Sequence, residues 1–174
     1  MMDLRYPIGE FEMPRRRLLP DARLIAIQEI AQAPAGLRSA VHGLSDDQLD
    51  TPYRPNGWTV RQVVHHLPDS HMNSYLRLKH ALSEDVPTVR TYDEAAWAKL
   101  PDAAGPIEGS LALLERLHAR WVYLWERLAE PDWGRRLRHP EVGEMGVDEL
   151  LALYAWHGRH HIAHITRLRA REGW

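Results

Sequence analysis

Residues 147–171 read VDELLALYAWHGRHHIAHITRLRAR, and the spacing within this stretch decides the fold class. Leu150, Leu153, Tyr154, Ile165 and Leu168 recur at helical intervals and mark one inward stripe at roughly 100° per residue. His157 and His161 fall inside that stripe. His164 lies near its edge, and His160 is expected further round, beside Arg167 in a solvated position. Histidines four positions apart on one face hold their Cβ atoms about 5–6 Å apart, so both imidazoles can reach one ion at about 2.0–2.1 Å. A lone inward histidine is more often a satisfied core residue. Nor does the pair make a zinc-protease helix, since H-E-x-x-H needs Glu after the first histidine and this chain has Gly158.

Working outward from that helix, three more stretches carry the same period, separated by segments rich in Pro, Gly and Asp. The first is predicted from Asp21, as N-cap, to Leu44, with a kink or break at Pro34. The second opens on Thr59 and Gln62, a T-x-x-Q capping box with Trp58 before it, and runs to Ser83 with an irregularity at Pro68. The third spans Glu108–Leu128, with Leu111, Leu114, Leu117, Trp121, Leu124 and Leu128 as its apolar positions; Trp121 and Trp125 read as packing residues. The connection over 84–107 is long enough for one short helix, and PDWGRRLRHPEVGEM allows two short β-like turns. Four amphipathic helices with long crossovers predict an all-α four-helix bundle, a single domain over 1–174 with residues 1–19 as an extended arm.

Composition narrows the chemistry. The 174 residues include no cysteine, which excludes disulfides, iron–sulfur clusters and a protein thiolate nucleophile. A metal would need His, Asp or Glu. The net charge of −2 gives no broad attraction to nucleic acid, and no run of about 18 apolar residues predicts a membrane span. No signal-peptide pattern opens the chain, so a cytoplasmic protein is expected.

A third ligand must come from another segment, and RQVVHHLPDSH supplies adjacent histidines, His65 and His66. His66 continues into Ser70, Asn73 and Arg77, a polar strip suited to line a pocket, but Pro68 disturbs the register and leaves the choice open.

Three stretches resemble a known family: DLRYPIGEF at 3–11, DTPYRPNGWTVRQVVHHLPDSHMNSYLRLKHAL at 50–82 and LYAWHGRHHIAHITRLR at 153–169. With Arg120–Trp121 and HPEVGE at 139–144, they are similar to the YfiT subgroup of DinB-like proteins over nearly the whole length. The resemblance implies a four-helix bundle, a homodimer, and one zinc or nickel ion per chain. It also implies the ligands: His66, closing GWTVRQVVHH, and His157 and His161, the first and last histidines of H-G-R-H-H. The chain departs from the family pattern at Pro68, where a helix-interior proline costs roughly 3 kcal/mol and could rotate His66.

Three histidines leave a coordination position open, as in catalytic sites, and zinc lowers the pKa of a bound water to about 7. The family's label of metal-dependent hydrolase follows from that chemistry, with a small-molecule substrate. Asp69, three residues after His66, is a candidate to orient a ligand or accept a proton; Asn73 and Tyr154 are candidate substrate contacts. Two alternatives stand beside hydrolysis. One is thiol transfer of the bacillithiol type, in which the ion presents a cosubstrate thiolate; the other is a non-catalytic metal-binding stress protein.

Overall fold

The computed structural model describes residues 3–174. Its helices are α1 (Pro20–Val41), α2 (Asp46–Leu49), α3 (Val60–Ser83), α4 (Glu94–Trp97), α5 (Glu108–Trp125) and α6 (Val147–Glu172). Strands β1 (Arg136–His139) and β2 (Gly143–Gly146) form an antiparallel hairpin where the sequence allowed only turns. Among the described residues, no helix is long and apolar enough to cross a membrane.

The four long helices divide their apolar residues between two halves of the core. One half is aromatic-rich: Ile27 and Ile30 of α1, Leu78 of α3, Trp121 and Trp125 of α5, Leu150 and Leu151 of α6. The other is aliphatic: Leu37 and Val41 of α1, Val60 to Leu67 of α3, Leu111 and Leu114 of α5, Ile165 and Leu168 of α6. Chain direction follows from this partition. Helices α1 and α6 run from the aromatic half to the aliphatic half, whereas α3 and α5 run the other way. Because α3 and α5 are parallel, the chain between them must return the length of the bundle, which explains the long 84–107 connection. Helix α1 lies against α5 and α6, and α3 against the same two, so each pair of parallel neighbours is sealed by antiparallel ones.

Local signals account for the helix starts. Thr59 Oγ1 accepts from the Gln62 N–H at 3.1 Å, and Gln62 Oε1 accepts from the Thr59 N–H at 3.0 Å. Helix α1 begins one residue before the predicted cap, with Leu19 at the N-cap and Pro20 in the first turn, where its missing N–H costs nothing. The buried Arg23 guanidinium holds Asp148 at 2.7 and 3.1 Å, tying the first turn of α1 to that of α6.

The break that Pro34 allowed does not occur, since α1 continues through it, while α3 runs through the buried Pro68 to Ser83, the extent the sequence predicts. The missing N–H of Pro34 leaves the Ile30 carbonyl without its i+4 donor. A histidine supplies it instead: His118 Nδ1 lies 2.7 Å from that oxygen. On α5 the buried face is Leu111, Leu114, His118, Trp121 and Trp125, while Leu117, Leu124 and Leu128 are half-buried at its margin.

Candidate metal centre

Between the two apolar halves the bundle has a polar waist. Each long helix contributes its middle: Ala33 of α1, His66, Ser70 and His71 of α3, His118 of α5, His157 and His161 of α6. Gly158 makes the waist narrow enough, since a Cβ there would stand 3.2 Å from the Ala33 Cβ and 3.6 Å from His71 Cε1. The absence of Glu after His157 thus has a packing reason.

His66, His157 and His161 converge, each offering a ring nitrogen within 4.8 Å of the others. His66 Nε2 and His157 Nε2 face each other at 3.3 Å. Neighbouring ligand atoms of a tetrahedral ion at 2.0–2.1 Å stand roughly 3.3–3.4 Å apart, so the separation suits a shared cation. His65 is turned away: its Nδ1 meets Ser110 Oγ at 2.7 Å and its Nε2 meets the Gly105 carbonyl at 3.1 Å. Both nitrogens of His65 are committed.

A tight turn over 54–57 sets the roof. Pro55 and the left-handed Asn56 (φ 58°) fold the chain so that the Gly57 N–H reaches the Arg54 carbonyl at 2.9 Å. A Cβ on Gly57 would lie 2.7 Å from Arg54 Cγ, so glycine is required. The turn delivers Trp58 over the cluster, 4.7 Å from the His66 ring and stacked at 6.5 Å on His161.

Burial governs the protonation of the five waist imidazoles. It holds His66 and His118 down at about 4. His71, His157 and His161 are pushed well below the usual histidine range, first by burial and then by their neighbouring histidines. Neutral rings at pH 7 keep lone pairs available for a cation.

His160 differs from expectation: it is buried, at 7% exposure, as is His164 at the edge of the inward stripe, at 3%, because the N-terminal segment crosses their helix face. The Arg5 carbonyl accepts from His164 Nε2 at 3.1 Å, Tyr53 stacks on His164 at 3.9 Å, and His160 stacks on Trp156 at 4.2 Å. Helical periodicity on α6 could not register a segment 150 residues away.

Two unlike cavities meet at the cluster. A polar cup of about 390 Å³ is lined by Arg5, Tyr6, Arg54, Asn56, His66 and His161 among others. An apolar chamber of about 290 Å³ lies on the other side, with Tyr92, Leu137, Met145, Leu153, Tyr154 and His157 in its wall. Glu94 lines both. Tyr154 is therefore placed to meet a ligand. Asp69 lines neither cavity: it is half-buried on the flank of α3, where burial and then Asp102 raise its carboxyl pKa. Asn73 is spent on the Asp69 carbonyl at 2.8 Å.

The model of the DinB superfamily matches residues 29–165. The chain belongs to this superfamily. Proteins of Bacillus cereus and Bacillus anthracis, each named "Putative metal-dependent hydrolase", are 52% identical to it over 174 residues, covering all of both chains. The structure is similar to that of YfiT from Bacillus subtilis, described as "a probable metal-dependent hydrolase with an unusual four-helix bundle topology". The two are 48% identical over 99% of each chain, with a TM-score of 0.96. TT2238, a four-helix bundle protein, shares the fold at 19% identity and a TM-score of 0.57, over 87% of this chain and 99% of its own.

Two buried histidines of this DinB-superfamily chain beside the cluster escape a reading by motif: His71 and His118. His71 Nε2 lies 3.0 Å from His157 Nδ1, and His71 Nδ1 lies 2.7 Å from His118 Nε2. A signal existed in the sequence for His118, which sits at a core position of the α5 stripe, four residues after Leu114 and three before Trp121.

Proposed function

We propose that this protein is a metal-dependent hydrolase of a small molecule, in which His66, His157 and His161 hold one zinc or nickel ion. The observation that carries this is the meeting of three neutral imidazoles, His66 and His161 buried and His157 half-buried, beside two cavities, with two of the facing nitrogens 3.3 Å apart. The names of the relatives support the reaction class. When bound, the ion would supply Lewis acidity to a water or a substrate oxygen.

The chain's own residues then divide the remaining work. Trp58 covers the cluster and excludes bulk water. Arg54 on the cup suits a substrate with an anionic end, the Arg5 guanidinium being held already by Asp3, and the Tyr92 and Tyr154 side of the chamber suits an apolar one. Proton acceptance, first assigned to Asp69, passes to Glu94, the carboxylate that borders both cavities. Asp69 is left to tune the α3 flank. The same proposal takes the protein as a homodimer, which light scattering checks.

Thiol transfer is the second reading, favoured by one observation: two separate cavities at a single centre suit two cosubstrates. A non-catalytic metal protein would have little use for either. With zinc or nickel restored, ester and amide turnover is compared with conjugation of an electrophile to a low-molecular-weight thiol. Hydrolysis is expected to dominate and to fall at least tenfold in Glu94→Gln but not in Asp69→Asn. Conjugation without hydrolysis would replace the first reading by the second, and activity in neither assay would reject both.

A further inference from the structure

The waist contains a chain of imidazoles that runs through all four long helices. It starts at the Ile30 carbonyl of α1, passes His118 of α5 and His71 of α3, and ends at His157 of α6, with successive separations of 2.7, 2.7 and 3.0 Å. A carbonyl oxygen can only accept. His118 must therefore carry its proton on Nδ1, which leaves a lone pair on Nε2. That lone pair accepts from His71 Nδ1–H, so His71 Nε2 is bare and accepts in turn from His157 Nδ1–H. His157 is left with its lone pair on Nε2, the atom that faces His66 Nε2 at 3.3 Å.

The foot of this chain depends on Pro34. In an uninterrupted helix the Ile30 carbonyl would be taken by the N–H of residue 34, and a proline has none. The direction of every proton in the series follows from that missing hydrogen. We propose that Pro34, His118 and His71 are positioning residues that lock His157 in the Nδ1–H tautomer and aim its Nε2 lone pair at the cation. The proposal rests on the metal reading for its purpose, though not for its geometry. Metal-bound histidines in general have a partner on the second nitrogen that fixes tautomer and orientation. Here that partner is another histidine, whose own state is set two residues further along.

The test uses full-length protein with ¹⁵N-labelled histidine rings, metal-free and zinc-loaded, and reads tautomers from long-range ¹H–¹⁵N correlations. His118, His71 and His157 are all expected as Nδ1–H before zinc is added, with His157 unchanged after it. In His118→Phe the series loses its foot: His71 and His157 should show mixed tautomers, and zinc affinity, measured by chelator competition, should fall about 10–100-fold. His118→Gln, whose amide oxygen can accept from His71, should restore most of that loss. Pro34→Ala, a change a helix tolerates well, gives Ile30 an in-helix donor, so it should weaken the His118 contact and lower zinc affinity several-fold even if His118→Phe fails to fold. Finding His157 as Nε2–H in the wild type, or unchanged tautomers and affinity in Pro34→Ala, overturns the proposal. Three Nδ1–H tautomers without zinc uptake would sink the metal reading and leave the tautomer lock standing.

Discussion

The two ends of the bundle and its waist are built by opposite rules. Leu114, Leu150 and Ile165 fill the ends with apolar side chains whose burial the hydrophobic effect favours. The waist between them encloses five imidazoles, four buried and His157 half-buried, groups that cost free energy unless their nitrogens are partnered. The four helices therefore need mainly shape at the ends, where the buried Arg23–Asp148 pair is the polar exception, but partnered polar groups at the middle.

That contrast can be broken most visibly at the ligands. His157→Ala and His161→Ala are each expected to abolish stoichiometric metal while keeping most of the helicity; metal analysis with circular dichroism decides. Full metal retention in either would reject the ligand assignment. At the dry aliphatic end, Leu114→Ala should do the reverse, costing about 2–5 kcal/mol of stability with metal stoichiometry intact. Denaturant titration of the metal-free and loaded forms would show it, and loss of metal at that position would erase the distinction between ends and waist.

Acid provides a third separation. Burial puts the folded-state pKa of His66 and His118 at about 4, below the roughly 6.5 of an unfolded histidine. Between those values the unfolded chain binds more protons, so stability is fully present above about pH 6.5 and is lost as pH falls towards 4. The denaturation midpoint of metal-free protein should therefore drop from pH 7 to pH 5, less steeply in His118→Gln than in the wild type. A midpoint that rises or stays level would contradict the neutral waist. The smallest effect is expected at His160→Ala, where stacking on Trp156 is lost but metal stays bound; metal loss there would move the centre outward on α6.

Much of the bundle was legible because periodicity and capping are local. The Thr59–Gln62 box, the α6 stripe and the His157/His161 pair all follow from residues within a few turns of one another. What escaped was set by distant contacts. His160 and His164 read as peripheral until the segment around Arg5 and Tyr6 covers them. Pro34 reads as a kink or break, because nothing nearby in sequence shows that His118 takes over the carbonyl it frees. Glu94 sits in an irregular connection whose path no period describes. The choice of His66 over His65 needed the family resemblance, and the structure supplies the physical reason, since Ser110 and Gly105 already occupy His65.

X-ray absorption on zinc-loaded protein tests the centre most directly. Three imidazole nitrogens at about 2.0–2.1 Å, with at least one further position taken by an exchangeable light atom, is the expected shell. A shell closed by four protein ligands, or zinc absent from protein whose His66, His157 and His161 are intact, would contradict it.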